Sequence, residues 1–306
     1  MNRKIVVIGS LNMDIVAVAS RLPLPGETIL GAQYLNEPGG KGANQAYAAA
    51  KLGGEVAMLG RLGTDGHGKQ MRANLEAVGC EVDGLQNIAG HSGVAVIFVA
   101  QSGQNSIVVV PGANERYLPE DLRADAHALA GAELVLLQLE TPMETVIAAA
   151  QTAKSHGARV ILDPAPAPQR LSLELLRNVD VLTPNETEAA QLVGAPEKTL
   201  SLQQARNIGQ QLQCSGPKAV IMKLGAQGCL LIEHGGVTEI AAPAVQAVDT
   251  TAAGDVFNGA LAVAWSEGAS LIEACRFATR AAAISVTRLG AQRSMPSRSE
   301  VMAAAV

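Results

Sequence analysis

The chain has 306 residues, 48% hydrophobic, 17% charged and 2% aromatic, and its 23 Lys plus Arg against 28 Asp plus Glu leave a net charge of −5. A chain of this length buries about three quarters of its unfolded surface, which excludes disorder as the main state. The absence of a basic field and the scarcity of aromatic side chains argue against a nucleic-acid partner, and no apolar run reaches the ~20 residues of a membrane span.

Short β-branched runs and Ala-rich stretches alternate along the chain. A strand is expected at 5–8, then a β-hairpin over 15–36 with Pro23, Pro25 and Gly26 at its turn, a helix at 41–52, a strand at 55–59 and a helix at 68–78. A second hairpin spans 93–110, its two valine-rich runs parted by residues 101–105. Strands at 134–139, 160–162, 179–182 and 219–224 then alternate with helices at 142–155, 185–193 and 202–212, before helices at 254–267 and 271–287 and a short one in the last ten residues. Runs apolar on both faces and separated by helices predict an α/β fold with a central, mostly parallel sheet flanked by helices. The two hairpins lack helical connections, so they are assigned to a small antiparallel β-sheet lid on a single domain covering 1–306. The helix at 142–155 carries a readable start, with Thr141 and Glu144 spaced as a capping box and Pro142 at the first helical position.

Familiar nucleotide motifs are missing. Gly39-Gly40-Lys41 continues into Gly42 and lacks the upstream glycine of a P-loop. Gly9 opens no dinucleotide fingerprint, and Gly90 with Ser92 fails as a hydrolase elbow because position 94 is Val. Cys80, Cys214, Cys229 and Cys275 are scattered singly, with no metal or redox spacing, and read as buried free thiols of a cytoplasmic protein.

Four stretches remain that carry chemistry. Asp249-Thr250-Thr251-Ala252-Ala253-Gly254-Asp255 runs small residues into a helix start, where unpaired N–H groups and the helix dipole suit a phosphoryl group. Asp255 reads either as an ordinary first-turn cap or as a base kept ionised by that dipole. Pro38 to Ala46 opens a helix with three glycines that allow close approach to a ligand and with Lys41 opposing the dipole, an arrangement that asks for an anionic or polyhydroxylic partner; the alternative is a solvated turn. Asn185 and Glu188 share a helix face and suit a hydrated cation, or the two first-turn acids, Glu186 and Glu188, simply compensate the dipole. Lys223 to Gly228 is a glycine-requiring hairpin or a backbone wall against a nucleotide.

Gly39-Gly40-Lys41-Gly42-Ala43-Asn44-Gln45 and Asp249-Thr250-Thr251-Ala252-Ala253-Gly254-Asp255 resemble the two signatures of the ribokinase (PfkB-type) family of sugar kinases, in the right order and with elements agreeing from about Ile5 to Pro296. The resemblance implies transfer of the ATP γ-phosphoryl group to a primary hydroxyl, with Asp255 as base and the backbone of Ala252, Ala253 and Gly254 as anion hole. It implies a sugar site at Asn12, Asp14, Gly40, Lys41, Asn44 and Glu140. It implies a nucleotide site at Asn185, Lys223, Leu224, Gly225, Ala226, Gln227, Gly228 and Gly254, with Thr279 near the adenine. Glu188 matches the acid that organises Mg²⁺ through water. Asp249, Thr251, Ser285, Arg288, Gly290 and Ser294 match a monovalent cation (K⁺) site, and the lid commonly pairs two subunits. Ala252 departs from the family's glycine, at a cost of roughly 1 to 2 kcal/mol if the position is left-handed, and narrows the subfamily.

Asp14, Asn12, Asn44 and Glu140 together favour a neutral pentose with free 2- and 3-hydroxyls, ribose first, because a missing hydroxyl strands a buried acceptor. Competing readings are a 2-deoxyribose, other sugar or nucleoside kinase, a catalytically silent sugar or nucleotide sensor, and a nicotinamide dehydrogenase that the missing fingerprint disfavours.

Overall fold

The computed structural model describes residues 3–195 and 200–304. Strand β1 (Ile5–Ile8) leads into β2 (Asn12–Ala19), which returns as β3 (Gly31–Gly39) and enters helix α1 (Lys41–Lys51). Then come β4 (Val56–Gly63), α2 (Gly66–Ala77), β5 (Leu85–Ile88) and the hairpin of β6 (Gly93–Ala100) and β7 (Asn105–Val110). After α3 (Pro119–Asp125), β8 (Leu134–Leu137), α4 (Met143–Ser155), β9 (Arg159–Leu162), α5 (Leu173–Leu176) and β10 (Val181–Leu182) alternate, followed by α6 (Glu186–Val193), α7 (Leu202–Cys214) and β11 (Ala219–Lys223). The chain closes with β12 (Cys229–Glu233), β13 (Gly236–Ile240), α8 (Ala253–Ser266), α9 (Leu271–Ser285) and α10 (Arg298–Ala303).

The nine-stranded sheet runs β13-β12-β11-β10-β9-β8-β1-β4-β5, parallel from β11 to β5 and antiparallel at the β12 and β13 edge. Alternation along β1 explains why both faces are covered. Ile5 and Val7 pack with residues of α1, α8 and α9, while Val6 and Ile8 pack with residues of α4, α6 and α7 on the opposite face. The C-terminal ends of β1, β9 and β11 therefore open at one edge, between helix starts, where open parallel sheets bind their ligands.

The second sheet has the order β3-β2-β6-β7. Its two hairpins are antiparallel as expected, and they meet along a parallel pair, β2 with β6, because both strands leave the body in the same direction. The first hairpin runs further than its pattern suggests, over 12–39 rather than 15–36, whereas the second keeps its expected bounds; Asn12 pairs with Gly39 and with Gly93, which places the root of the lid beside the start of α1.

Two details differ from the expectations. The box at Thr141 does not form, because Pro142 with ψ 135° is itself the N-cap; this moves Thr141 outside the helix and leaves its hydroxyl buried without a partner. Cys214, at the end of α7, is exposed, whereas the other three thiols are buried. No described helix is long and apolar enough to cross a membrane.

Candidate active site

Two helix starts converge. At α1 the glycines serve the chain's own packing before any ligand. A Cβ on Gly39 would meet the Asp14 carboxylate at 2.2 Å, one on Gly40 the Asn12 nitrogen at 2.6 Å, and one on Gly42 the Ser10 nitrogen at 2.6 Å. Gly40 also holds φ 88°, a left-handed conformation that favours glycine. The first amides of α1 are consumed by protein: Lys41 N donates to Glu140 Oε2 at 3.1 Å, Gly42 N to Ser10 Oγ at 3.4 Å and Ala43 N to Ser10 O at 2.9 Å.

The start of α8 is built the other way. Ala252 caps it in the left-handed region at φ 58°, and no side chain closes the helix end. Ala253 N donates to Thr250 O at 3.2 Å, whereas the N–H groups of Gly254 and Asp255 find no acceptor among the described residues. Of the expected cradle of Ala252, Ala253 and Gly254, the Ala253 N–H is thus taken within the turn, and Asp255 adds an N–H beside that of Gly254.

The carboxylate of Asp255 does not cap its own helix. Asn44 Nδ2 donates to Oδ2 at 3.0 Å and Gln45 Nε2 to Oδ1 at 3.1 Å, joining the two signatures across more than two hundred residues. Burial pushes Asp255 up to about 6, opposed by the Lys41 ammonium and the two amides and assisted by the nearby charge of Asp163. Asp255 was expected to stay ionised; here burial works against ionisation, while Lys41 and the two amides work for it. Even so, a value near 6 leaves the carboxylate mostly ionised at neutral pH and basic enough to take a proton.

Lys41 and Asp255 share the wall of one cavity of about 550 Å³ with Asn185, Glu188, Lys223 and Gly254. Burial alone would lower Lys41, yet the carboxylates of Asp255, Asp163, Glu140 and Glu188 hold its ammonium above the ordinary lysine range. Asn185 and Glu188 form a reciprocal box at the start of α6: Glu188 N donates to Asn185 Oδ1 and Asn185 N to Glu188 Oε2, each at 2.8 Å. One oxygen of each side chain is thus committed to capping α6. Burial raises Glu188, and the adjacent Lys223 opposes that rise. Of the hairpin loop, Lys223 and Gly225 reach the cavity; Gly225 at φ 53° and Gly228 at φ 94° supply the bends, and a Cβ on Gly228 would strike Ile240 O at 2.0 Å.

The polyol candidates Asn12 and Asp14 lie on β2 at the root of the lid. Asn12 Oδ1 accepts from Asn114 Nδ2 at 2.8 Å. Burial first, then the charges of Glu140 and Asp255, push Asp14 up to about 7. Behind α8, Asp249 accepts from Thr251 N and Oγ1 and from Gly290 N, and Val286 O receives Val248 N and Asp249 N, so residues 249–251 are laced to 286–290. Arg288 pairs its guanidinium with Glu300, and the Ser285 and Ser294 hydroxyls donate to their own local carbonyls. Thr279 is buried in α9 with its hydroxyl 3.7 Å from Cys229 Sγ, away from the cavity wall.

Several site residues escaped the sequence reading. Asp163 follows β9 and lies on the cavity, its Oδ1 accepting from Lys223 Nζ at 2.9 Å and its Oδ2 from Gln45 Nε2 at 3.0 Å. An acid directly after a fully apolar strand is a usable signal. Gln138, Gln292 and Asn114 complete the amide network, with Gln138 Nε2 donating to Gln45 Oε1 at 2.7 Å and Gln292 Nε2 to Asn44 Oδ1 at 3.0 Å. Such long-range amide pairs leave no local pattern.

The geometry agrees with what the chain is similar to. A family model described as pfkB family carbohydrate kinase matches residues 2–298. A ribokinase of Haemophilus influenzae is 42% identical over 303 residues, 99% of this chain and 98% of that one. A deoxyribokinase of Salmonella typhi is 37% identical, covering 96% and 95%. The solved structure of Arabidopsis thaliana ribokinase complexed with ribose and ATP superposes with a TM-score of 0.92 at 40% identity over 99% and 98% of the two chains. With one family model spanning nearly every residue and relatives above 40% identity over almost the whole chain, the chain belongs to the pfkB family of carbohydrate kinases.

Proposed function

We propose that the chain transfers the γ-phosphoryl group of ATP to the primary 5-hydroxyl of D-ribose, giving ribose 5-phosphate. One observation carries this reading: a buried carboxylate, Asp255, is clamped by amides of α1 beside the free N–H groups of α8, in a cavity that also holds Lys41. Ribose and ATP are the ligands of the Arabidopsis relative.

Asn12, Asp14, Gly40, Asn44 and Glu140 orient the sugar so that its 5-hydroxyl faces Asp255. A sugar hydroxyl is a very weak acid, so Asp255 takes its proton only as the new bond to phosphorus forms. The N–H groups at Gly254 and Asp255, with Ala252 and Ala253 shaping the turn, receive the equatorial oxygens of the transferring group, and Lys41 neutralises charge there. The 223–228 loop and Asn185 hold the nucleotide, and Thr279 acts on the adenine side only by supporting β12.

Glu188 keeps one carboxylate oxygen outside its box, and burial among carboxylates and lysines suits it to hold a hydrated Mg²⁺, which would screen the phosphate oxygens. Asp249, tied to Thr251 and Gly290, gives the loop behind α8 a charge that fits K⁺, whose part would be to stiffen the turn at Ala252. The lid at 15–36 and 93–110 excludes water, as one domain with the body. Its exposed Tyr34, Phe98, Ile107 and Val108 suit pairing with a second copy, and the buried thiols suit a cytoplasmic setting.

The test is ADP release with pentoses, hexoses and nucleosides, with and without K⁺, and identification of the product. Ribose should give the highest kcat/KM and a 5-phosphate. The Salmonella relative favours 2-deoxyribose as the second reading, and equal kcat/KM for the two sugars would move the assignment there.

A further inference from the structure

Asp163 has no part in either signature, yet it is the group through which the nucleotide side and the base are physically joined. It is 2% exposed, at the C-terminal end of β9, and both of its oxygens are used: Oδ1 by the Lys223 ammonium and Oδ2 by the Gln45 amide. The orientation of Gln45 follows from its neighbours. Its Oε1 receives the Gln138 amide, so its Nε2 must face the two carboxylates of Asp163 and Asp255, one hydrogen for each. A flipped amide would set oxygen against carboxylate twice.

Lys223 has a choice of anions. Glu188 is close enough to feel its charge, and an ammonium that swung onto Glu188 would take the carboxylate oxygen left over from the α6 box. The bond to Asp163 instead keeps the ammonium at the mouth of α8, where a Cβ on Gly254 would lie 3.4 Å from Lys223 Nζ. That is the place where the free N–H groups of Gly254 and Asp255 leave an anion to be received.

We propose that Asp163 is a positioning residue for phosphoryl transfer, holding Lys223 over the start of α8 and, through Gln45, fixing the carboxylate of Asp255. This rests on the kinase reading given above. Because the pair is buried, removing one partner leaves the other with an uncompensated charge, and Lys223 relaxes toward Glu188. The charged groups around Asp255 are Lys41 on α1, Asp14 on β2, Glu140 after β8, Glu188 on α6, Lys223 at the end of β11 and Asp163 itself.

Asp163→Asn keeps the shape and removes the charge. With ATP and ribose it should lower kcat by roughly 10- to 100-fold and raise KM for ATP several-fold, while KM for ribose stays within about twofold. The acidic limb of kcat against pH should also move to lower pH by about one unit, because a negative neighbour of Asp255 is gone. Lys223→Gln should move the same limb upward, since Asp163 is then unbalanced. The double variant should be no slower than the slower single one, as two residues acting through one another are not additive. A residue needed only for folding would scale the active fraction and leave the limb and both KM values in place; that result, or additive losses, overturns the proposal. Should Asp163→Asn fail to fold, the Lys223→Gln limb decides alone, an unmoved limb counting against the inference. If the parent chain phosphorylates no sugar, the kinase reading falls; if it does and Asp163→Asn matches it, only Asp163's role falls.

Discussion

The two helix starts that form the site solve the same problem in opposite ways. Both lack a side-chain cap, unlike α6, α7, α9 and α10, which each begin with a reciprocal Asn or Ser box. At α1 the orphan donors are given to Glu140 and Ser10, so that end is rigid and spends its charge through the Lys41 side chain. At α8 two donors stay open beside a carboxylate. An uncapped helix start is therefore no signature of anion binding until its N–H groups have been traced; one of these ends grips a substrate by side chains and the other receives a charge by backbone.

The sharpest way to break that contrast is to neutralise the acid at the open end. Asp255→Asn retains the Asn44 and Gln45 neighbours in shape but not the base, so kcat for ADP release should fall by about a thousandfold, with ribose and ATP still bound. Near-normal kcat would detach the open end from the chemistry. In the parent enzyme, kcat should fall as pH drops through about 6, where Asp255 takes up its proton.

The closed end should show itself in stability instead. Asp14 sits near 7 when folded and near 3.8 when unfolded, so between those values the folded chain binds more protons. Stability present below about 4 is then lost as pH rises through about 7, by about 4 kcal/mol from this group. Denaturant unfolding of the ligand-free protein at pH 5 and pH 8 should register about 2.5 to 3 kcal/mol of this loss, and Asp14→Asn should flatten it. A pH-independent midpoint in the parent chain would mean that Asp14 is far better solvated than its packing against Gly39 indicates.

How much of this was legible follows from how locally each feature is encoded. The alternation at 5–8, the hairpin at 93–110 and the two glycine-bearing signatures are contiguous, so period and spacing expose them. The capping box at Thr141 was misread because one proline in an extended conformation shifted the helix start by a residue. Asp163, Gln138 and Gln292 were missed because their partners lie 60 to 248 positions away and amides pair in too many ways to be spaced. The glycines at 39, 40 and 42, read as room for a ligand, also serve packing that no local pattern shows: a Cβ there would meet the Asp14 carboxylate or the backbone of residues 9 to 12.

That last point gives a smaller test at the closed end. Gly42→Ala would place a methyl 2.6 Å from Ser10 N and 2.7 Å from Gly9 C, backbone atoms that cannot turn aside. A loss of about 1 to 3 kcal/mol in unfolding free energy is expected, together with a higher KM for ribose as Asn12 is pushed outward. Unchanged stability would mean that α1 floats on the β1 to β2 loop.

The smallest effect belongs to the open end. Ala252 holds φ 58° and is the one non-glycine residue with positive φ among the described residues. A side chain there costs roughly 1 to 2 kcal/mol, which Ala252→Gly would relieve, but glycine also frees the unfolded chain by about 0.4 to 1 kcal/mol. The net gain should lie between about 0 and 1.6 kcal/mol, read as a small rise in denaturation midpoint. Catalysis is the more telling readout. If Ala252 only tolerates the turn that the Asp249, Thr251 and Gly290 bonds already impose, kcat stays within about twofold. A larger fall would show that the methyl group itself stiffens the cradle, and that a strained residue was kept because it holds Gly254 and Asp255 with their donors facing the cavity.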